Sequence, residues 1–448
     1  MNSTKRPNDV YDVIGVGIGP FNLGLAALAD SVSEINALFF ERSESFNWHP
    51  GMLIEGTTLQ VPFLADLVSM ADVKSEYSFL NYLQQHNRLY SFYFLEDFHI
   101  PRKEYNHYCR WVAEQLDSCC FGMNVESIAL IESNPDPLFK VRVANRENGG
   151  EAVYYAKHIA LGIGTGPHVP ETLSDALGGS VFHSAEYLMK KPGGFKGKRV
   201  AVVGSGQSAA EVFYDLVGED EAEHVSWLTR SKGFFPMEYS NLGLEYFSPD
   251  YIDFFYQLPQ WKKDELLKQQ DLLYKGISAK TISDIYHLLY ERTCGGREAA
   301  FDLQSMTEVE QIEQHGETLI LHCTNRVNED RFQRQADMVV LATGYKERLP
   351  ECLAPVDSLI EKDASGRYVI TRDYRLVTAA TSKNHIFVQN GELHTHGVGA
   401  PDLGLGAYRN SVIINQLAGR EVYNVSHKTV FQTFGTGIAE KTAVPNGS

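Results

Sequence analysis

The feature that most constrains this chain is a short apolar run ending in glycines, which occurs twice. The first copy is Tyr11-Asp12-Val13-Ile14-Gly15-Val16-Gly17-Ile18-Gly19-Pro20, followed from Asn22 to Ala29 by apolar residues at helical spacing. This pattern predicts strand, tight turn and helix. Gly15 permits the turn, Gly17 lets the backbone approach a pyrophosphate, and a helix beginning near Pro20 directs its positive end at the phosphates. Ala37-Leu38-Phe39-Phe40-Glu41 reads as the next strand, ending in an acid about 20 residues past the glycines, where an adenosine ribose hydroxyl is held in such units. Pro20 stands where the fingerprint G-x-G-x-x-G has its third glycine, so a Gly-rich turn in an unrelated fold is the competing reading.

The second copy is Lys198-Arg199-Val200-Ala201-Val202-Val203-Gly204-Ser205-Gly206-Gln207-Ser208-Ala209, with Ala in the tolerated third place. Its next strand, Val225 to Thr229, leads to Arg230, Ser231 and Lys232 instead of an acid. A cation there suits a 2′-phosphate, which favours NADPH over NADH; the plainer reading of Arg230 is a solvated surface charge. Two such units in one chain imply a hydride passed from one dinucleotide to another, FAD and NADPH together.

A third run, Asp337-Met338-Val339-Val340-Leu341-Ala342-Thr343-Gly344-Tyr345, is expected to close the first unit, and Ile159 to Gly166 resembles it. Both read as points where the chain crosses between domains. The expected fold class is α/β, with two Rossmann-like dinucleotide-binding domains. The FAD domain is placed at 1–190 and 346–448, with an NADPH domain inserted at 191–345. Segment 245–295 carries Phe, Tyr and Leu at helical spacing and reads as a small helical cap or oligomer surface, its aromatic stripe as core.

Size and charge narrow the partners. At 448 residues and 43% hydrophobic, the chain has material for two or three cores. A net charge of −17 disfavours nucleic acid and anionic membrane, and no apolar run is long enough for a signal peptide or membrane span, so a cytoplasmic location is expected. The six cysteines contain no C-x-x-C and the histidines lack zinc-site spacing, which points to reduced thiols and no metal. Disulfide reductases also use paired nucleotide units, but they need the redox cysteine pair that is missing here.

On these residues the sequence resembles the class B N-hydroxylating flavin monooxygenases of siderophore biosynthesis, a group that includes ornithine, lysine and diamine hydroxylases. The resemblance spans nearly the whole chain. It is carried by Gly15 to Leu23, Trp48-His49-Pro50-Gly51-Met52, Phe63 to Leu67, Tyr77 to Leu83, Gly204 to Ala209, Leu341 to Tyr345, and His396-Gly397 through Tyr408-Arg409. It implies a C4a-hydroperoxyflavin attacked by a neutral amine, NADP retained during oxygenation, dioxygen as co-substrate and often a homotetramer. The flavin carries the chemistry, so no side-chain catalyst is named. An apolar pocket would keep the amine neutral.

The resemblance also assigns positions. Trp48, His49, Pro50, Gly51 and Met52 correspond to a loop beside the flavin, and Gln60 to a Gln facing flavin and NADP. Leu403, Gly404 and Leu405 correspond to a helix start near the flavin pyrimidine, where a positive dipole favours the reduced ring. Gln207 and Ser208 fall at the NADPH pyrophosphate, and Thr343 and Tyr345 at the crossing between domains.

One departure bears on substrate. Ornithine and lysine enzymes carry a Lys that grips the α-carboxylate at the third place of the motif Phe63-Leu64-Ala65-Asp66-Leu67, and this chain has Ala65. A buried carboxylate without a cation is costly, so a decarboxylated amine is expected: putrescine or cadaverine first, histamine next, lysine or ornithine as the alternative. Leu244 and Gly276 align with polar substrate ligands of the ornithine enzymes. A distal ammonium would want an acid, for which Asp66, Glu245, Glu392 and Asp402 are candidates, each first read as structural. Two other activities remain open at this level. A ketone-oxygenating relative would need F-x-G-x-x-x-H, which is not intact around Phe182 to Tyr187, and a flavin- and NADP-binding sensor would not turn over.

Overall fold

Strands covered on both faces need apolar residues at nearly every position, and the runs before both glycine turns have that composition. In the computed structural model, which describes residues 9–379, 383–425 and 428–435, they become central parallel strands of two separate sheets. The first sheet is built from β1 (Val10–Val16), β2 (Ala37–Phe40), β3 (Cys119–Cys120), β4 (Met123–Ile131), β5 (Leu138–Asn145) and β6 (Glu151–Leu161), in the order β3-β2-β1-β6-β5-β4. Parallel pairing sets Gly15 of β1 opposite Phe39 on one side and Ala160 on the other. Alternation along β1 sends Val13 into the core under helix Pro20–Asp30, and Ile14 and Val16 into the core on the opposite face.

The chain leaves through β7 (Thr165–Pro167) and builds β8 (Val181–His183), β9 (Arg199–Val203), β10 (His224–Leu228) and β11 (Phe301–Gln304). An antiparallel sheet follows, β12 (Thr307–His315), β13 (Thr318–Asn325) and β14 (Arg331–Ala336), then β15 (Met338–Leu341). The second sheet has the all-parallel order β11-β10-β9-β15-β8. The chain returns through β16 (Tyr345–Glu347), antiparallel to β7, and adds β17 (Ile386–Val388) to β6. The fold is therefore α/β with two Rossmann-like sheets, the second inserted in the first and joined to it by the β7–β16 ribbon.

Two expectations change. Val181–His183 belongs to the second sheet, so that unit begins at the ribbon and not at residue 191. Met338–Leu341 completes the second sheet beside β9 instead of closing the first, which is closed by β6 and β17. A short buried strand has no pattern that says which of two parallel sheets it will join.

The expected helical segment forms a bridge. Serines at 248 and 278 cap helices Pro249–Gln257 and Ala279–Arg292, each accepting from the backbone N–H of the third residue of its helix. Ala279–Arg292 packs on helix Gln207–Glu219 of the second unit, while Pro249–Gln257 and Gln260–Gln269 pack on the short helix Leu393–His396 of the first. Tyr251 and Phe255 are buried with Val398, so that part of the aromatic stripe is core, while Tyr286 and Tyr290 of helix Ala279–Arg292 are exposed.

Candidate active site

At the end of β1, Gly17 has φ +83° and a Cβ there would lie 2.7 Å from the Gly162 carbonyl oxygen, so no other residue fits without moving β1 from β6. Asn22, fully buried, clamps the turn: its side-chain amide donates to the Gly17 carbonyl at 2.8 Å and its Oδ1 accepts from Gln389 at 2.7 Å. Gly19 is the N-cap of helix Pro20–Asp30, Pro20 begins it, and its first turn has neither an acid nor a side-chain cap. Its orphan N–H groups are thus left for an anion. Glu41, just past β2, accepts from the Ile18 N–H at 2.9 Å, which holds the carboxylate beside the turn, as its ribose assignment requires. Gly15 is needed for a different reason than expected: it lies inside β1 without a positive φ, and a Cβ would strike the Phe39 ring at 2.0 Å.

The second turn repeats this construction. Gly204 has φ +151° and a Cβ would come 2.2 Å from the Ala342 carbonyl oxygen; Gly206 is the N-cap of helix Gln207–Glu219, again without a side-chain cap or acid in the first turn. Ser208 is in that turn. Arg230, past β10, is exposed and 3.6 Å from Glu308, a loose surface pair that leaves it available. Gln207 differs from expectation. Its side chain is used up internally, donating to Glu211 at 2.8 Å and Thr281 at 2.9 Å and accepting from the Ser278 N–H at 2.8 Å, so only its backbone is left for a ligand.

Between the turns the two units meet across a cleft. The loop Trp48–Met52 crosses it, because Gly51 lacks a Cβ that would lie 1.8 Å from the Ala185 carbonyl. Met52 is consequently buried in the second unit's core with Phe182 and Tyr187. Trp48 packs edge-on against Tyr105. His49 adopts a left-handed φ of +49° and points its ring at Tyr345. Desolvation of the ring, which packs edge-on to Trp48 and Tyr345, together with Arg102 nearby pushes the imidazole down to about 4, so it is neutral. Tyr345 lies between His49 and His183, its buried hydroxyl without a partner among the described residues. Thr343 and His183 pin the ribbon, donating to the carbonyls of His168 at 2.5 Å and Gly344 at 3.0 Å.

Across the cleft, Arg102 of helix Arg102–Gln115 makes a bidentate pair with Glu211 of helix Gln207–Glu219, at 2.7 and 2.8 Å. Gln60 has a buried Oε1 without a partner among the described residues, while its carbonyl accepts from the Tyr239 hydroxyl. Ala65 is buried at the Leu403–Leu405 turn: a Cβ on Gly404 would be 3.8 Å from the Ala65 methyl and 2.8 Å from Asp402 Oδ1. Leu403 packs on the first unit's core and Leu405 is buried. Leu244 is exposed, and Gly276 is explained by the Met237 backbone, 2.5 Å from where its Cβ would be. Among the described residues no His, Cys, Asp or Glu cluster could hold a metal.

Asn22, Gln389, Arg102, Glu211 and Tyr239 were not singled out from the sequence. Their partners lie up to 367 residues away, so no local pattern marks them. Gly162 alone had a signal, as one of the glycines ending the Ile159 to Gly166 run.

Together these residues fit dinucleotides: two glycine cradles that a Cβ would fill, two open helix N-termini, and orphaned polar atoms of Gln60 and Tyr345 in the cleft between them. Comparison with known proteins agrees. Residues 9–347 match the L-lysine 6-monooxygenase/L-ornithine 5-monooxygenase family. A rhizobactin siderophore biosynthesis protein of Rhizobium meliloti is 45% identical, over 95% of each chain. A putrescine N-hydroxylase of Acinetobacter baumannii is 41% identical over 96% of this chain and 95% of its own. The FAD-bound cadaverine monooxygenase of the desferrioxamine pathway of Erwinia amylovora superimposes with a TM-score of 0.91 at 39% identity, over 96% of this chain and all of that one.

Proposed function

Because the chain belongs to the L-lysine 6-monooxygenase/L-ornithine 5-monooxygenase family, we propose that it N-hydroxylates a small diamine, putrescine or cadaverine, for hydroxamate siderophore biosynthesis. It is a flavin-dependent N-monooxygenase that uses FAD and NADPH. The observation that carries the substrate is Ala65: a buried methyl occupies the position where the resemblance puts the carboxylate-binding Lys of the amino-acid enzymes. An α-carboxylate brought there would lose its hydration without gaining a cation.

The Gly17 turn, Glu41 and the start of helix Pro20–Asp30 would hold FAD; the Gly204 turn and the start of helix Gln207–Glu219, with Arg230, would hold NADPH. When bound, the flavin supplies the oxidising chemistry, fed by NADPH and dioxygen. This chain's part is to position and to keep water out. The ribbon and the Arg102–Glu211 pair hold the two units at one spacing. Met52 and Gly51 lock the loop that closes one side of the cleft. The orphaned Gln60 Oε1 is an acceptor for an N–H brought into the cleft, and neutral His49 puts no positive charge beside a nitrogen whose lone pair must be free.

The test is a panel of putrescine, cadaverine, histamine, ornithine and lysine, scored by hydroxylamine formed per NADPH oxidised. The diamines should give the highest kcat/KM; a clear preference for ornithine or lysine would refute the Ala65 argument. Arg230→Ala should raise the NADPH KM by about tenfold or more and leave NADH nearly untouched, the loss of one charge-assisted phosphate contact. An equal effect on both nucleotides removes Arg230 from the 2′-phosphate.

The same reading includes the cytoplasm, where NADPH is supplied and where cysteine thiols stay reduced. No helix among the described residues is long and apolar enough to cross a membrane. It also includes a homo-oligomer. Helix Leu89–Leu95 buries none of its residues and exposes Tyr90, Tyr93 and Phe94 at 69–79%, without a charge, on a chain of net −17, so like-charged copies can meet there with least repulsion. Sedimentation should show a species heavier than the 50.2 kDa chain.

A further inference from the structure

We infer that Asp402 holds the distal ammonium of the substrate and thereby sets the preference for diamines over monoamines and over amino acids. This rests on the diamine reading and deepens it. A diamine presents one neutral nitrogen for oxidation and keeps a second, protonated one, whose burial needs an acceptor that carries charge. Four acids near the relevant segments were candidates, and their hydrogen bonds separate them.

Asp66 is saturated: Oδ1 accepts from the N–H groups of Val68 at 3.0 Å and Ser69 at 2.6 Å, and Oδ2 from the Ser69 hydroxyl at 2.7 Å and the Phe79 N–H at 2.8 Å. It organises the loop from 66 to 79 and has no room for a ligand. Glu245 is spent on the outer surface, where its two oxygens accept from the N–H groups of Phe431 at 3.0 Å and Gln432 at 2.9 Å. Glu392 is sealed from solvent, accepts from the Gly391 N–H at 2.8 Å, and is neutralised by Arg409 at 2.8 Å. Glu392 Oε1 makes no hydrogen bond but is held in an ion pair 2.8 Å from Arg409, so Asp402 alone among the four keeps an oxygen with neither a hydrogen bond nor an ion pair among the described residues. Its Oδ1 accepts from the Gly404 N–H at 2.7 Å, and no donor among the described residues reaches Oδ2.

Its surroundings match the role. The Gly404 backbone lies between the Asp402 carboxylate and the Ala65 methyl, so the acid is on the same corner of the cleft as the residue that excludes an α-carboxylate. Tyr239 is close enough for the Asp402 charge to add to burial in pushing its phenol up to about 12, and its hydroxyl ties that corner to Gln60. Burial pushes the Asp402 carboxyl itself up to about 6, against the Gly404 hydrogen bond and Arg409. Arg409 is already matched by Glu392, so the corner carries one uncompensated negative charge. A cation is attracted there, and the carboxylate of lysine or ornithine is repelled.

The experiment uses the FAD-loaded full chain and compares cadaverine and putrescine with pentylamine and butylamine, which have the same carbon chains and no distal ammonium. Hydroxylamine formation by the wild type should favour each diamine over its monoamine by about 10- to 100-fold in kcat/KM, the range expected for one hydrogen bond to a charged group. Asp402→Asn keeps an acceptor for the Gly404 N–H and removes the charge; that preference should collapse, through KM more than kcat, while the protein retains its flavin. Equal use of diamine and monoamine by the wild type overturns the assignment even if the variant does not fold, as does a variant that loses both amines in proportion. Failure of the wild type to hydroxylate either diamine is the distinct failure of the diamine reading, and this assignment falls with it.

Discussion

Gly17, Gly204 and Gly15 are all fixed as glycine, but by different forces, and only some of these act locally. Gly17 and Gly204 need backbone angles that a Cβ opposes, and each also meets a carbonyl from a strand far along the chain, at Gly162 and Ala342. Gly17→Ala should therefore yield protein with little or no bound FAD, measured as flavin absorbance per chain after purification, since the turn must shift before a methyl fits. Stoichiometric flavin in that variant would remove the turn from the cofactor site. Turn glycines were legible because their need arises within a few residues, and Ala65 because its position is set by its motif. Gly15 was legible as a requirement but not for its cause, the Phe39 ring on the neighbouring strand. The partners of Met52 and Gln207 were not legible for a related reason: each is drawn into packing or hydrogen bonding with a different unit or helix, to residues 182 and 187 for one and 278 and 281 for the other.

At the level of elements, both strand–turn–helix units were readable because their apolar runs, glycines and helix starts are contiguous. Sheet membership was not, since β8 and β15 have the composition of any buried parallel strand and only their partners distinguish them. The same holds for what joins the units. Arg102 and Glu211 are on helices from different units, with side-chain exposures of 14% and 4%. Removing one partner leaves a buried charge, and Glu211→Met or Arg102→Met should cost about 3–5 kcal/mol in urea denaturation. The double variant should be less destabilised than the sum of the singles, because neither charge is then stranded. Additive effects below about 1 kcal/mol each would mean that the pair is solvated and does not brace the cleft.

For the molecule as a whole, the acidic surface and the buried histidines pull stability in opposite directions as pH falls. Protonating carboxylates on a chain of net −17 relieves repulsion, but mainly near and below pH 5. The histidines act earlier. His396 is fully buried, bonded to Thr395 and the Arg372 carbonyl and stacked on Tyr374, and burial holds its imidazole well below the ordinary value of 6.5. His158 accepts from the His385 N–H at 3.0 Å, and burial, with the His385 ring beside it, pushes it down to about 4. Both stay neutral in the native protein while the unfolded chain takes up protons near 6.5, so their contribution is present above that pH and is lost as pH falls toward 4. Between pH 7 and 5.5 the free energy of unfolding should fall by about 1.2 kcal/mol for each histidine. Denaturant midpoints at those two values check this, and an unchanged midpoint would show that protons reach both rings in the native state.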